Sequence, residues 1–334
     1  MKSFQTVVAA SKSAWSRHVA TEDLYHQGRC PVTSATLFVR WPQIRAVLSI
    51  LAVAMSVLCR GVVPASAQES SHLTETVQQP IGSPDTQQES SDIAKQAQNP
   101  IAKLISVPFE NDFYPHTGTH KEDEYVLEIK PVVPIALSKD WNLITRTIIP
   151  VIQTPELAPG INGTSGLGDI QESFFFSPTK ASPGGIIWGA GPVISAPTAT
   201  ETIYGTGKMS MGPTLVVLKS QGHWLYGSLA QNLWSVETGP RDRPAVNQML
   251  LQPFVNYNLP HKWYLTSSPI ITSNWEVSGN NRWTVPVGGG VGKIVHFGKL
   301  PLNAYTQCFR NVERPDGTTS WSTRFQMQFL FPKR

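Results

Sequence analysis

"WSTRFQMQFLFPKR" closes the chain at residues 321–334. Within it Phe325, Met327, Phe329 and Phe331 alternate with Arg324, Gln326 and Gln328. A period of two marks a β-strand with one apolar and one polar face. A soluble protein buries such an apolar face in its own core. A membrane barrel turns it outward to lipid and leaves the guanidinium and the long amides facing a wet interior. Which of the two holds is settled by the rest of the chain.

Outward from that strand the same texture continues. Extended segments rich in Val, Ile, Leu, Phe and Trp fall near 101–110, 123–137, 141–153, 167–177, 186–198, 208–219, 223–236, 246–259, 263–276, 282–297, 301–312 and 320–331. No stretch sustains a helical period. A tilted strand needs about 9–11 residues to cross a bilayer, and these segments are long enough.

The connections carry more information than the strands. "SKD" (138–140), "SPTKASPGG" (177–185), "KSQGH" (219–223), "LPHK" (259–262) and "FGK" (297–299) are mostly tight. Longer polar loops fall between them: 111–123, 154–166, 198–207, 237–245, 277–282 and 313–320. Alternation of short periplasmic turns with long external loops is the habit of transmembrane barrels. Trp141, Trp188, Trp224, Trp234, Trp263, Trp275, Trp283 and Trp321 lie near segment ends, as expected of aromatic belts at two membrane interfaces. Phe331 is the expected last aromatic anchor of the final strand. A soluble β-core would place more of its aromatics in mid-strand.

Pro131, Pro192, Pro213, Pro253, Pro269 and Pro286 count against a closed barrel, because each falls inside an expected strand. Proline removes a ladder donor and belongs at edges or bulges, and a closed barrel has no edge. The reading therefore requires bulges, or prolines whose missing donor faces a wet rim.

Composition bounds the function. The 334 residues carry a formal net charge of +4, but the excess is local. Residues 1–67 hold 7 Lys and Arg against 2 Asp and Glu, so residues 68–334 are near −1. A nucleic-acid binder keeps a basic stripe in its folded part; here none is expected. The basic segment has its own logic. Arg40 and Arg45 precede an apolar run from Ala46 to Cys59, and Ala65-Ser66-Ala67 follows. Charged start, short apolar middle and small-residue exit make a secretory signal with cleavage after Ala67. The alternatives are a membrane-anchoring helix, for which the run is short, or a lipid anchor on Cys59. Cys30 and Cys59 lie in this segment, which leaves Cys308 alone and permits no disulfide framework. Residues 68–98 are rich in Gln, Ser and Glu without aromatics. They bury too little apolar surface to offset chain entropy and read as a disordered linker. The barrel is expected over 99–334.

Several phrases in fixed order carry a resemblance: "VPFENDF" (107–113), "KPVVPIALSKDWNLITRTIIPVIQTPEL" (130–157), "GLGDIQESFFFSP" (166–178), "IWGAGPVISAPTAT" (187–200), "MGPTLVVLK" (211–219), "LQPFVNYNL" (251–259) and "WSTRFQMQFLFPK" (321–333). Over about residues 99–334 the chain resembles bacterial envelope proteins labelled "transporter" or "neuromedin U". These are related to the outer-membrane proteins of the phenol-degradation meta-pathway group. The resemblance implies an outer-membrane β-barrel and supplies neither a solute nor catalytic residues. The chain departs from many barrels by running on to Pro332-Lys333-Arg334 beyond the aromatic.

Motifs that could carry chemistry are weak. His116, His120 and Glu122 in "HTGTHKEDE" have metal-ligating side chains, but nothing in a glycine-containing loop fixes their geometry, and no metal site is expected. "YGTGK" lacks the G-x-x-x-x-G-K-[ST] of a phosphate loop. A surface lipid hydrolase needs Ser and His at one level on adjoining strands, and His223, His261 and His296 all lie at the tight turns. No catalytic residue and no cofactor is expected.

The polar face remains. Taking Tyr125, Leu127 and Ile129 as lipid-facing turns Glu124, Glu128 and Lys130 inward. The same parity places Asn142 and Arg146 inside, with Arg324, Gln326 and Gln328 on the last strand. These eight are the candidate lumen residues. About twelve strands fall between the side-chain-filled eight and the open 16 to 18, and the balanced charges imply weak ion selectivity. The reading is an all-β, transmembrane, antiparallel up-and-down barrel in the outer membrane of a Gram-negative envelope. It would be porin-like, passing small molecules passively or with facilitation. Its expected partners are the lipid bilayer, the outer-membrane assembly machinery and an unidentified small solute, with no nucleic acid. The alternatives are a closed barrel acting as adhesin or scaffold through its loops, a lipid hydrolase, and a soluble periplasmic β-protein.

Overall fold

The computed structural model describes residues 96–102, 104–117, 121–155, 163–236, 243–298 and 300–331. The expected signal (1–67) and most of the expected linker lie outside the described residues. Among the described residues the strands are β1 (Ile105–Thr117), β2 (Glu122–Ile129), β3 (Val132–Ala136), β4 (Trp141–Thr154) and β5 (Thr164–Leu167). Next come β6 (Gln171–Pro178), β7 (Ile186–Ser195), β8 (Ser210–Gln221), β9 (Trp224–Ser235) and β10 (Asn247–Asn258). The last are β11 (Trp263–Ser267), β12 (Ile271–Asn274), β13 (Trp283–Phe297), β14 (Leu300–Glu313) and β15 (Trp321–Phe331).

Three pairs, β2 with β3, β5 with β6, and β11 with β12, are single staves interrupted midway: β2 and β3 both pair β1 and β4, β11 and β12 both pair β10 and β13, and β5 and β6 both pair β4, with β6 reaching β7. Twelve antiparallel staves result. Each pairs with the next in sequence, β9 pairs β10, and β15 pairs β1 in continuous register from Ile105↔Phe331 to Phe113↔Thr323. The sheet closes on itself, so no edge remains.

The connections keep the expected alternation with one exception. The loop expected at 111–123 shrinks, because β1 runs on to Thr117. Its extra residues are held on both sides, with Asn111 opposite Phe325 and Leu127.

The prolines find distinct solutions. Pro131 sits in the gap between β2 and β3, where Lys130 N–H donates to Pro108 O at 2.9 Å and Thr147 N–H to Pro131 O at 3.1 Å. A register shift falls between Val285 and Pro286 against β14, which is a bulge. Pro269 lies in the gap between β11 and β12, opposite Pro253 by continuation of the β10 register. Pro192 faces Pro213 directly across β7 and β8. The outer ladders of those two strands, toward β6 and β9, are interrupted at the same level. Gly191 and Gly212 precede these prolines. A β-carbon on Gly191 would stand 2.0 Å from Phe174 O, and one on Gly212 1.8 Å from Asn232 O. Neighbouring carbonyls that lose a proline N–H therefore settle against a bare glycine α-carbon, whose C–H is a weak donor.

Burial along each strand has period two. Outward positions leave Val133, Ile135, Met211, Leu215, Val217, Val255, Leu265 and Val291 exposed on the outside of the wall. Exposed apolar surface of that extent marks an interaction with something other than water. Inward positions on β1, β2, β14 and β15 are mostly polar, with Val126, Phe309 and Leu330 as apolar exceptions. On β4 through β10 the structure departs from the expectation of hydrophilic side chains looking in: Ile144, Phe175, Val216, Leu218, Leu225, Leu229 and Leu250 are buried inside. Strands such as "TLVVLK" (214–219) are apolar on both faces, so alternation alone does not tell the two sides apart.

Two further pieces occupy the interior. Residues 96–102 and 104 precede β1 and pack inside the wall, with Ala97, Ile101, Ala102 and Leu104 buried. Gln98 Nε2 donates to Asn258 Oδ1 at 2.8 Å. At the long-loop end the connection 196–209 folds inward. Its Tyr204 is buried against Tyr114, Val126 and Ile152, with its hydroxyl 3.2 Å from Thr154 Oγ1.

Candidate functional site: the lumen

The wall formed by β15, β1 and β2 concentrates charge. Arg324 donates to Asp112 through Nε at 2.8 Å and Nη2 at 3.0 Å, a two-pronged pair. Its Nε also lies 3.1 Å from Glu110 Oε1. Lys130 Nζ stands 2.6 Å from both Glu110 Oε1 and Glu128 Oε2. Glu110, Asp112, Glu128, Lys130 and Arg324 are all buried. Burial on this scale is tolerated only because every charge meets an opposite one. Glu124 is the exception among the inward carboxylates: it is 1% exposed, and its Oε1 has no hydrogen-bond partner.

Amides extend the network around the wall. Tyr264 donates its hydroxyl to Asn303 Oδ1 at 2.6 Å, and Asn303 Nδ2 donates to Gln328 Oε1 at 3.0 Å. The Tyr305 hydroxyl lies 3.2 Å from Glu110 Oε2 and 3.0 Å from Gln326 Oε1. Gln307 Nε2 donates to Thr266 Oγ1 at 2.8 Å. Asn142 is buried at the short-turn end of β4, and Arg146 is partly buried one turn of the pleat further in.

A cavity of about 140 Å³ opens beside these groups. Glu110, Lys130, Arg146, Tyr305, Gln326 and Gln328 line one side of it. Val132 stands beside Arg146 on that wall, Leu229 and Phe254 line the cavity together with Gln252 and Asn256, and Ala97 to Pro100 also border it. Its lining mixes charged, amide and apolar side chains.

The eight tryptophans divide by height. Trp141, Trp188, Trp224 and Trp263 stand at the short-turn ends of their strands, while Trp234, Trp275, Trp283 and Trp321 stand at the long-loop ends. Six of the eight are at least 37% exposed; Trp188 and Trp283 are partly covered. Each covered ring packs edge-on against a neighbour, Trp141–Trp188 at 6.0 Å and Trp275–Trp283 at 5.5 Å. Phe331 ends β15 on the outside, 41% exposed.

Sequence reasoning missed Glu110 and Asp112, the carboxylates that hold Lys130 and Arg324. Their signal lay in "FENDFY" (109–114), where Phe109, Asn111 and Phe113 alternate with Glu110, Asp112 and Tyr114. Reading 111–123 as loop hid it. His116 ends β1 exposed, and His120 lies outside the described residues. His223, His261 and His296 stand at the short-turn end; His223 Nδ1 is 3.1 Å from Asn258 O at the end of β10.

The inward loop 196–209 is tied by side chains rather than by a ladder. Asp169 Oδ2 accepts from Thr206 N at 2.7 Å and Thr206 Oγ1 at 3.0 Å, and Oδ1 accepts from Ala199 N at 3.3 Å. Arg243 Nη2 donates to Thr202 O at 2.8 Å and Gly205 O at 2.9 Å. Each hydrogen bond to an ionised group contributes about 1.5–3 kcal/mol. Asp169→Ala is therefore expected to speed amide hydrogen exchange at Ala199 and Thr206 by roughly 100-fold, leaving the amides of β8 and β9 protected.

Among solved structures, the chain is similar to outer-membrane barrels. One is an outer-membrane channel from Pseudomonas putida F1, at 14% identity and TM-score 0.49, covering 70% of this chain and 96% of that one. Another is the NanC porin, at 11% and 0.43, covering 69% and 100%. A third is outer membrane phospholipase A from Escherichia coli, at 12% and 0.38, covering 72% and 97%. Scores below 0.5 at such identities carry no functional information. No protein-family model matches the chain, and no curated protein matches it.

Proposed function

We propose that the protein is an outer-membrane channel for small molecules, passive or facilitated, of the transporter family that its sequence resembles. Residues 1–67 would export it, and the outer-membrane assembly machinery would insert it with the outward apolar band in lipid. The eight lumen candidates would line the path, and the two tryptophan groups would sit at the two interfaces. The observation that carries the reading is the cavity lined by Arg146, Gln326, Gln328, Val132, Leu229 and Phe254, set within a wall whose outer surface is apolar. Catalysis forms no part of it.

Planar-bilayer recording of the purified full chain is expected to give step-like currents in potassium chloride, and liposomes carrying it are expected to swell in small neutral solutes. Silent bilayers together with unswollen liposomes would remove the channel while leaving the barrel. One observation favours a second reading, a closed barrel that acts through its loops: residues 96–102, 104 and Tyr204 all occupy the interior. Deleting loop residues then abolishes a binding phenotype and leaves permeability as it was.

A further inference from the structure

Arg146 lies on β4, opposite Val132 of β3 and Ser173 of β6, and its side chain lines the cavity. Among the described residues, no hydrogen bond or ion pair reaches its guanidinium. The nearby carboxylates are already engaged. Glu110 is held by Lys130 and Arg324, Asp112 by Arg324 and Glu128 by Lys130. Three charged side chains line the cavity, Glu110, Lys130 and Arg146, and two of the three are cationic. A guanidinium presents five N–H donors in a planar fork that matches a carboxylate in two-pronged fashion. Placing it without a hydrogen-bond partner in a partly open cavity is costly unless an acceptor arrives. Val132 flanks Arg146 on the adjoining strand, and Leu229 of β9 and Phe254 of β10 add apolar lining to the same cavity, which suits a hydrocarbon body.

We propose that this cavity is a binding site for small amphipathic organic anions, with Arg146 grasping the carboxylate and the apolar lining of Val132, Leu229 and Phe254 covering the apolar body. The amides of Gln326 and Gln328 flank the path to it. This inference rests on the lumen being the solute's path. It makes Arg146 a specificity-determining residue within that path.

Titration calorimetry on the detergent-solubilised full chain tests the site without requiring permeation. The probes share a chain length and differ in head group: hexanoate, hexylammonium and hexanol, with acetate as the head group alone. Hexanoate is expected to bind at least about tenfold more tightly than acetate or hexylammonium. Arg146→Gln is expected to weaken hexanoate by at least about tenfold, the effect of losing one two-pronged charged contact. Arg146→Lys keeps the charge without the fork and is expected to fall between the two. Its folding, checked by unboiled gel migration, covers the case in which the glutamine variant does not assemble. Equal hexanoate affinity in the wild type and in a folded variant, or hexylammonium bound as tightly as hexanoate, overturns the proposal. Arg146-dependent hexanoate binding in a protein that passes no current would sink permeation and spare the site. Currents without such binding would do the reverse.

Discussion

Replacing Arg324 with leucine is expected to abolish stable closure of the barrel. Arg324 is the partner of both Asp112 and Glu110, which lie 212 and 214 residues earlier in the chain, on the strand that the last one must meet. With Arg324 gone, Glu110 and Glu128 keep Lys130, while Asp112 loses the cation that pairs it. Breaking a buried pair by removing one partner costs about 3–5 kcal/mol, a large share of a barrel's net stability. The outward face of β15 is unchanged, so hydrophobicity of the strand is not what is lost. Unboiled gel migration and the urea midpoint of unfolding in detergent check this outcome. The double change Asp112→Leu with Arg324→Leu removes both members and is expected to recover part of the loss. If the single variant folds with the wild-type midpoint, the charges do not fasten the seam.

Deleting residues 96–104 is expected to raise single-channel conductance severalfold. That segment borders the cavity, and its described side chains rest on the inner wall without joining any ladder. Removing it withdraws Ile101 and Leu104 from their contacts, each worth about 1.5–3 kcal/mol of burial, and exposes the apolar interior wall. The hydrogen bonds between staves remain, so the barrel is expected to survive with a lower thermal midpoint. Unchanged conductance in the deletion variant would mean that the segment does not obstruct the path. The effect is separable from the Arg324 result, because one variant loses the wall and the other loses an occupant.

Much of this architecture was legible in the residues. The twelve staves follow from period-two alternation cut by turn residues, and both are local properties of the chain. "WSTRFQMQFLF" alternates because its two faces meet different surroundings, and the inward placement of Gln326 and Gln328 follows from that parity. Less local facts were hidden. Asp112 sits two residues beyond the expected end of the first segment, yet it is held in register by β15, a partner whose position depends on closure. The aliphatic interior of β4 to β10 was invisible because Leu218 and Val216 alternate with residues just as apolar. Tyr204 enters the lumen through Asp169 and Arg243, contacts that link separate loops and leave no periodic trace. The unpartnered state of Arg146 is likewise a property of the whole wall: it depends on where Lys130 and Arg324 point.

The facing prolines of β7 and β8 bear on how neighbouring strands are joined. With Pro192 opposite Pro213, the two absent donors turn away from the shared ladder and toward carbonyls that glycines can receive. The shared ladder therefore stays continuous from Ile186↔Lys219 to Ser195↔Ser210, while the breaks fall on the flanks toward β6 and β9. The Gly-Pro steps leave the β7–β8 hairpin whole as a unit and put its weak points where it meets its neighbours.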